Sequence, residues 1–406
     1  MTKEYDVIVV GGGPAGGQCA RELSEKGYKT LLVERYESFE DNNFSSAGMT
    51  LAPLKEFGIP ESVVGTYWND FVIQCSKEEY RWKGDERKGV VLDFGRLRQF
   101  LADETIAKGG EVLMGHRYIK KTVLNDGVIA EFKNAASSEV IELKAKLLVD
   151  GTGPLRKVMY DSKDEQPEMV YGSGIEYLIK VDQEAYDKYK ETLIFFLGDK
   201  WALKGYSWIF PMENRILKVG SGKVHIQAKD EEKTTKTTKK LTEKIIKDYI
   251  QPKDYTIIDV HGGTLRYSPS IQDTFYKDKV FAVGDAVSTV NPLGGEGIRY
   301  AMQNASLAVN YIDEYLQKGT TNFGQYRKKW RRKHLLKWQI SEVSCRRMYS
   351  KYNDSQIEKR ISYLYKSTDI NSLIDTLFNF RFSRLILRIF QVYYLKLKDS
   401  FRKQTF

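Results

Sequence analysis

The sequence predicts a mixed α/β and α+β chain: a dinucleotide-binding domain split in sequence, an antiparallel-sheet domain inserted into it, and a helical C-terminal segment. Three observations predict this. Residues 5–10 (YDVIVV) read as a short, β-branched, buried parallel strand that runs straight into a glycine turn. A second apolar strand, Val280–Val283, comes far along the chain and also ends in glycine. Between them, Gly205–Pro211 (GYSWIFP) and Met212–Gly222 (MENRILKVGSG) alternate around a turn at Glu213-Asn214, the pattern of paired strands. The expected boundaries are 1–165 for the first part of the dinucleotide-binding domain, with an inserted segment at about 60–100 serving the substrate side. The substrate-binding sheet domain follows at 166–270, the return segment at 271–320, and a basic helical domain at 321–406.

The first strand delivers Gly11-Gly12-Gly13-Pro14-Ala15-Gly16, followed by a helix to Lys26, a second strand at Thr30–Val33, and Glu34. Gly11 permits the tight turn, Gly13 lets a pyrophosphate approach the backbone, and Gly16 allows close helix–strand packing. The helix N-terminus offers amide N–H groups and a positive dipole end to a diphosphate. Glu34 stands about 20 residues on, where a carboxylate can accept hydrogen bonds from ribose hydroxyls. A lone glycine motif is weak; strand, glycines, helix, strand and acid in order make a specific one.

The second segment, Lys146–Gly153 (KLLVDGTG), is an apolar strand ending in Asp150-Gly151. The third is Val280–Met302 (VFAVGDAVSTVNPLGGEGIRYAM). It places Gly284-Asp285 at a strand's C-terminal end, where open α/β sheets bind ligands and a carboxylate can hold a polyol hydroxyl. Asn291-Pro292 breaks the chain, and Gly294-Gly295-Glu296-Gly297 opens a helix at Ile298–Ile312, whose free N–H groups can stabilise negative charge.

Composition limits the remaining choices. Hydrophobic and charged fractions of 41% and 29% belong to a folded protein. Cys19, Cys75 and Cys345 form no CxxC pair, which argues for a reducing compartment and against a disulfide framework. Four scattered histidines, His116, His225, His261 and His334, suggest no metal site. Met1 leads within a few residues into a strand, so no cleaved signal peptide is expected. No apolar run approaches the roughly 20 residues of a spanning helix. The expected location is the cytoplasm, with peripheral placement at the inner face of the cell membrane as the variant to test.

The net charge of +10 is local. From Phe323 to Phe406 there are 20 Lys/Arg against 6 Asp/Glu, so the rest of the chain is slightly acidic. This segment (YRKKWRRKHLLKW, then Phe378–Lys398) reads as helical, aromatic and basic. In its last part Arg381, Arg384, Arg388 and Gln391 recur at helical spacing, opposite Phe382, Leu385, Ile386, Ile389 and Tyr393. The plain reading is a terminal helix packed on the core with a solvated face; the sharper one is a helix lying on anionic lipid. Charge alone would also suit nucleic acid, but no recognition fold supports that, and no nucleic-acid partner is expected.

VGGGPAG with Glu34, the DGTG turn and VGDA…NPLGGEGI resemble, in this order, the FAD-dependent oxidoreductases related to p-hydroxybenzoate hydroxylase. The resemblance implies that superfamily's split FAD domain, with FAD as the cofactor. It puts Gly11, Gly13, Gly16 and Glu34 on the ADP half and Asp285 on the ribityl chain. Pro292, Gly294, Gly295 and Gly297 would lie beside the isoalloxazine. Further candidate cofactor contacts are Pro14, Ala15, Arg35, Arg98, Asp150, Gly151, Gly284 and Ile298.

Within that superfamily, YSWIFP at Tyr206–Pro211, His261-Gly262-Gly263 and the Asn-Pro…Gly-Gly loop resemble the geranylgeranyl reductases, which saturate isoprenoid chains of archaeal lipids and of chlorophyll and quinone side chains. Tyr206, Trp208 and Phe210 share one strand face at period two. Unaided, the pattern suits an ordinary sheet core; with the resemblance, these residues and Pro211 become an aromatic wall for an apolar substrate. Two positions depart from the family. Many relatives carry a cysteine soon after the ribose-binding acid, where this chain has FSSAGMT at Phe44–Thr50, so that position falls on Ser45 or Ser46. A serine offers no thiol of pKa near 8.5. Phe94 stands where many relatives have an arginine before a helix at Leu97–Lys108, with Arg96 or Arg98 as substitutes.

The implied reaction is saturation of C=C bonds in a long isoprenoid lipid or quinone chain, with hydride from reduced flavin N5 and a proton from a positioned acid or water. Ser45, Tyr206 and Trp208 are the candidate catalytic residues. An apolar channel favours such chains, at about 0.8 kcal/mol per buried CH₂. No second complete glycine-plus-acid unit is present, so the electron donor is expected to be a small redox protein such as a ferredoxin, or transiently bound NAD(P)H. The FAD segments fit equally a flavin monooxygenase of an aromatic or quinone-like substrate, and the missing thiol leaves room for a flavoprotein scaffold without catalysis.

Overall fold

Val7 to Val10 are buried on both faces of a sheet, which their unbroken apolar run demands. The computed structural model describes residues 3–225 and 231–381. In it, strand Glu4–Val10 lies between Thr30–Val33 and Val140–Asp150, parallel to both. The parallel run continues to Glu111–Leu113 on one side and Val280–Ala282 on the other. The strand expected from Lys146 begins earlier, at Val140, because residues 140–145 also pair antiparallel with Val128–Asn134. Three segments distant in sequence, ending at Val10, Asp150 and Ala282, thus end side by side.

A second, seven-stranded sheet runs in the order Tyr255–Tyr267, Val170–Val181, Ile216–His225, Gly205–Pro211, Thr192–Phe196, Asp70–Gln74 and Glu79–Trp82. It is antiparallel except where Thr192–Phe196 meets Asp70–Gln74. One of its faces buries Tyr177, Ile179, Leu217, Val219 and Ile209 against Ile245, Ile246 and Ile250. The opposite face carries Phe195, Tyr206, Trp208 and Phe210. A third, small sheet joins Gly48–Thr50, Gly89–Leu92 and Val64–Trp68.

The helices begin and end where local chemistry permits. The helix expected at Leu97 starts at Phe94, because Asp93 caps it by accepting from the Arg96 N–H. The helix from Ile298 runs on to Lys318, where Gly319 adopts a left-handed conformation. Helix Gly324–Arg346 then packs against it, burying Tyr326, Trp330, His334 and Trp338. Helices Asp354–Ser367 and Ile370–Leu377 cover the aromatic face of the second sheet, with Phe378 stacked on Trp68. The amphipathic stretch expected over 378–398 falls, from Phe382 onward, outside the described residues. The three cysteines are buried and unpaired. Among the described residues no helix is long and apolar enough to cross a membrane.

Candidate active site

Gly11 has a positive φ of 104°, and a Cβ there would lie 2.5 Å from the Gly151 carbonyl oxygen. A Cβ on Gly16 would lie 1.9 Å from the Gly11 oxygen, so helix and turn can approach only without side chains. Gly13, by contrast, faces open space and caps helix Pro14–Glu25 with no side-chain hydrogen bond and no acid in the first turn. This uncapped helix start, floored by glycine, fits a diphosphate. Beside it the buried Glu34 accepts from Gly12 N–H at 2.7 Å and Tyr36 N–H at 3.2 Å. Arg98, also buried, stands 3.6 Å from Glu34 and donates to the carbonyls of Gly12 and Asn42. Of the two arginines that could stand in at Phe94, Arg98 is turned inward to the glycine turn and Arg96 outward to Glu213. Arg35 is exposed and rests on Tyr36, close enough to Arg98 for the two charges to repel.

Asp150 spends its carboxylate on its own chain: Oδ1 accepts from Thr152, and Oδ2 from the N–H groups of Val158 and Met159. Its part is to hold the turn at Gly151, where a Cβ would lie 3.1 Å from Gly11 O and Gly16 Cα. Gly284 also has positive φ, and its missing Cβ makes room for Ala15. Asp285 accepts from the Thr289 hydroxyl at 3.0 Å, and burial pushes its carboxyl above the usual carboxylate range. A half-buried acid at a strand end, held by the Thr289 hydroxyl and the Val290 N–H, suits a polyol. Arg156, fully buried, ties these segments together through Asp273 and Ser288.

The loop from Asn291 to Gly297 is organised by its own first residue. Asn291 Oδ1 accepts from Leu293 and Gly294 N–H, an Asx turn. Two aromatic hydroxyls then hold its carbonyls, Tyr349 at Leu293 and Tyr206 at Gly294, while Trp338 donates to the Ser288 carbonyl just before the loop. Pro292 is buried within the loop, while Gly297 and Ile298 start a helix that has no side-chain cap and no acid in its first turn. Like Gly13, Gly294 faces open space. The fit to FAD is therefore physical at both ends: an uncapped helix start near Glu34, and a second one beside the aromatic strand.

The aromatic strand brings its side chains to this loop unequally. Tyr206 reaches it directly and packs on Trp208, Phe195 and Tyr349. Trp208 lies on a glycine floor, since a Cβ on Gly220 would come 2.2 Å from its ring, and its indole N–H donates to Glu176 at 2.6 Å. Trp208 thus presents a ring face and no free donor. Phe210 is packed under Gly48, and Pro211 ends the strand opposite Leu217. The Ser45 hydroxyl accepts from Ala47 N–H, while its carbonyl accepts from Lys218 Nζ at 2.7 Å.

Sequence reading missed Glu176, Lys218, Arg156, Trp338 and Tyr349. The first two had a signal: each interrupts an apolar strand at a position whose neighbours, Tyr177 and Leu217 with Val219, face the core, so the charge must face the other side. Burial lowers the affinity of Lys218 for its proton, with Glu176 and Asp93 opposing that shift.

The chain matches the model of the FAD binding domain over residues 4–323. It is 31% identical over 333 residues to the digeranylgeranylglycerophospholipid reductase of Haloferax volcanii, covering 78% of this chain and 77% of that one. It is 26% identical over 378 residues to the enzyme of the same name from Methanocaldococcus jannaschii, covering 90% and 92%. In fold it is similar to a geranylgeranyl bacteriochlorophyll reductase-like protein of Thermoplasma acidophilum, at TM-score 0.79, 19% identity and coverage of 95% and 99%. The p-nitrophenol 4-monooxygenase of Pseudomonas putida is also similar in fold, at TM-score 0.71, 14% identity and coverage of 94% and 98%.

Proposed function

Because this chain belongs to the geranylgeranyl reductases of the FAD binding domain family, we propose that it saturates C=C bonds in the geranylgeranyl chains of membrane lipids. The observation that carries this reading is the contact between Tyr206 and the Gly294 carbonyl, made at the exposed edge of an apolar cluster of Trp68, Phe71, Phe195, Trp208, Phe210 and Phe378. A wall of that kind, set against the cofactor loop, suits an alkene held by dispersion and burial rather than by hydrogen bonds. FAD is held by Gly11, Gly13, Pro14, Ala15, Gly16 and Glu34 at the ADP end, with Arg98 steadying Glu34. Asp285 takes the ribityl chain, and Pro292, Gly294, Gly295, Gly297 and Ile298 border the ring system. When bound and reduced, FAD supplies a hydride from N5.

Tyr206 and Trp208 orient the chain and exclude water; Phe210 and Pro211 support them. Ser45 borders the same face through a loop anchored by Lys218. Substrate reaches the site from an anionic membrane surface, and the electrons come from a ferredoxin or from NAD(P)H. Helix Gly324–Arg346 supports the membrane contact: Leu336, 70% exposed, lines up with Ile340 and Val343 opposite the buried face, flanked by Arg332, Lys333 and Arg346. The test of function is anaerobic incubation of the dithionite-reduced holoprotein with a digeranylgeranylglycerophospholipid. Product masses should rise by about 2 per bond. No change there, with an oxygen-mass gain in air and NAD(P)H, would support a monooxygenase instead.

A further inference from the structure

Helix Gly324–Arg346 and the turn after it follow the cofactor strand and loop step by step, through residues on their buried side. Tyr326 donates to the Ala282 carbonyl at 2.9 Å, and Trp338 to the Ser288 carbonyl at 3.1 Å. Ser341 Oγ accepts from the Asn291 side-chain amide at 3.4 Å, and Tyr349 donates to the Leu293 carbonyl at 2.8 Å. The last of these contacts is made from an irregular turn. Tyr352 N–H returns to the Arg347 carbonyl at 3.0 Å, an i→i+5 bond that widens the turn carrying Tyr349. Single π turns are rare and frequently sit at functional sites.

The loop that these groups meet is fixed peptide by peptide. The Leu293–Gly294 peptide has its oxygen on Tyr349 and its N–H on Asn291 Oδ1. The Gly294–Gly295 peptide has its oxygen on Tyr206 and its N–H on the Asn291 carbonyl at 2.9 Å. The two tyrosine rings lie with centroids 6.1 Å apart, so two hydroxyls from distant parts of the chain hold neighbouring carbonyls. The loop is left open at Gly294 and at the uncapped helix start, Gly297–Ile298.

We propose that Tyr349 is a positioning residue for FAD: by holding the Leu293 carbonyl it keeps that oxygen from turning toward the reduced ring, and so helps to set the flavin potential. This rests on FAD lying against the loop as proposed above. Negative charge on reduced flavin is stabilised by the free N–H groups of a helix start and opposed by a loose carbonyl oxygen. A buried tyrosine suits the task. Burial keeps the Tyr349 hydroxyl protonated well beyond its ordinary range, so it remains a donor as pH varies.

The test is a spectroelectrochemical titration of FAD-loaded wild type, Tyr349→Phe and Trp338→Phe, with no lipid present. Tyr349→Phe should hold reduced FAD about tenfold less favourably relative to oxidised FAD, read as a two-electron potential about 30 mV lower. Its apoprotein should melt within a few degrees of wild type. Trp338→Phe loses a donor to Ser288, outside the loop, so it should lower the melting temperature and leave the potential unchanged. If Tyr349→Phe fails to fold, Ser341→Ala decides: releasing the Asn291 side chain should lower the potential in the same direction, and no shift there overturns the proposal. A potential that stays or rises in Tyr349→Phe overturns it as well, whatever the melting temperature does. A wild type that leaves lipid unreduced overturns the reductase reading alone, because the potential is read without lipid.

Discussion

Tyr206 donates from Oη to the Gly294 carbonyl at 3.2 Å, and a Cβ on Gly295 would lie 2.6 Å from that same oxygen. The second sheet and the Asn291–Gly297 loop therefore meet at this hydroxyl. Gly295 also has a φ of 70°, which an alanine adopts with strain. Gly295→Ala should cost about 2 kcal/mol or more, part clash and part backbone strain. In a Tyr206→Phe background the clash is relieved, so the same change should cost about 1 kcal/mol less. Denaturant unfolding of the four proteins in that cycle measures the coupling.

The two glycines at the ADP end should respond oppositely. Gly16→Ala forces a Cβ to within 1.9 Å of backbone and should lower stability by several kcal/mol even without cofactor. Gly13→Ala enters open space, so it should cost about 1 kcal/mol or less in the apoprotein while weakening FAD by about tenfold or more. Thermal unfolding of apoprotein and FAD titration separate the two.

Glu296 is buried with Arg299, and burial raises its carboxyl from 4.5 to about 7. Between those values the unfolded chain has released the proton that the folded chain still holds. Stability therefore falls as pH rises from about 4.5 to about 7 and levels off above, by an amount on the order of 3 kcal/mol. Glu296→Gln should flatten that slope. Chemical denaturation at half-unit pH steps is the measurement; an unchanged slope would show that another group sets it.

Leu336 and Ile340 are exposed on the helix face opposite the core. Replacing both with Glu should weaken binding to anionic vesicles about tenfold or more while leaving thermal stability nearly unchanged. Vesicle sedimentation with and without anionic lipid reads this directly. Binding that survives the double change would place any membrane contact elsewhere.

Local patterns were legible in the sequence, and pairings over distance were not. The alternation of Tyr206, Trp208 and Phe210 is a property of one strand, so their common face could be read from spacing. The glycines at 11 and 16 could be read because a tight turn admits little else. Glu34 was recognisable as an acid at a strand end, but Arg98 as its buried partner depends on how helix Phe94–Ala107 docks. The contact of Glu176 with Trp208 depends on the register between their strands, which tertiary packing sets. Asp150 misled for a different reason: an Asp-Gly turn resembles a ligand contact, yet its carboxylate is consumed by four donors of its own chain.

The central claim is that reduced flavin in this chain passes its electrons to an isoprenoid double bond beside Tyr206. Anaerobic stopped-flow tests it most directly, mixing the reduced holoprotein with a digeranylgeranylglycerophospholipid and following flavin absorbance. The account predicts reoxidation without oxygen, stoichiometric with saturated bonds in the recovered lipid, and much slower in Tyr206→Ala. Flavin that stays reduced until air is admitted, with the lipid unchanged, would contradict it.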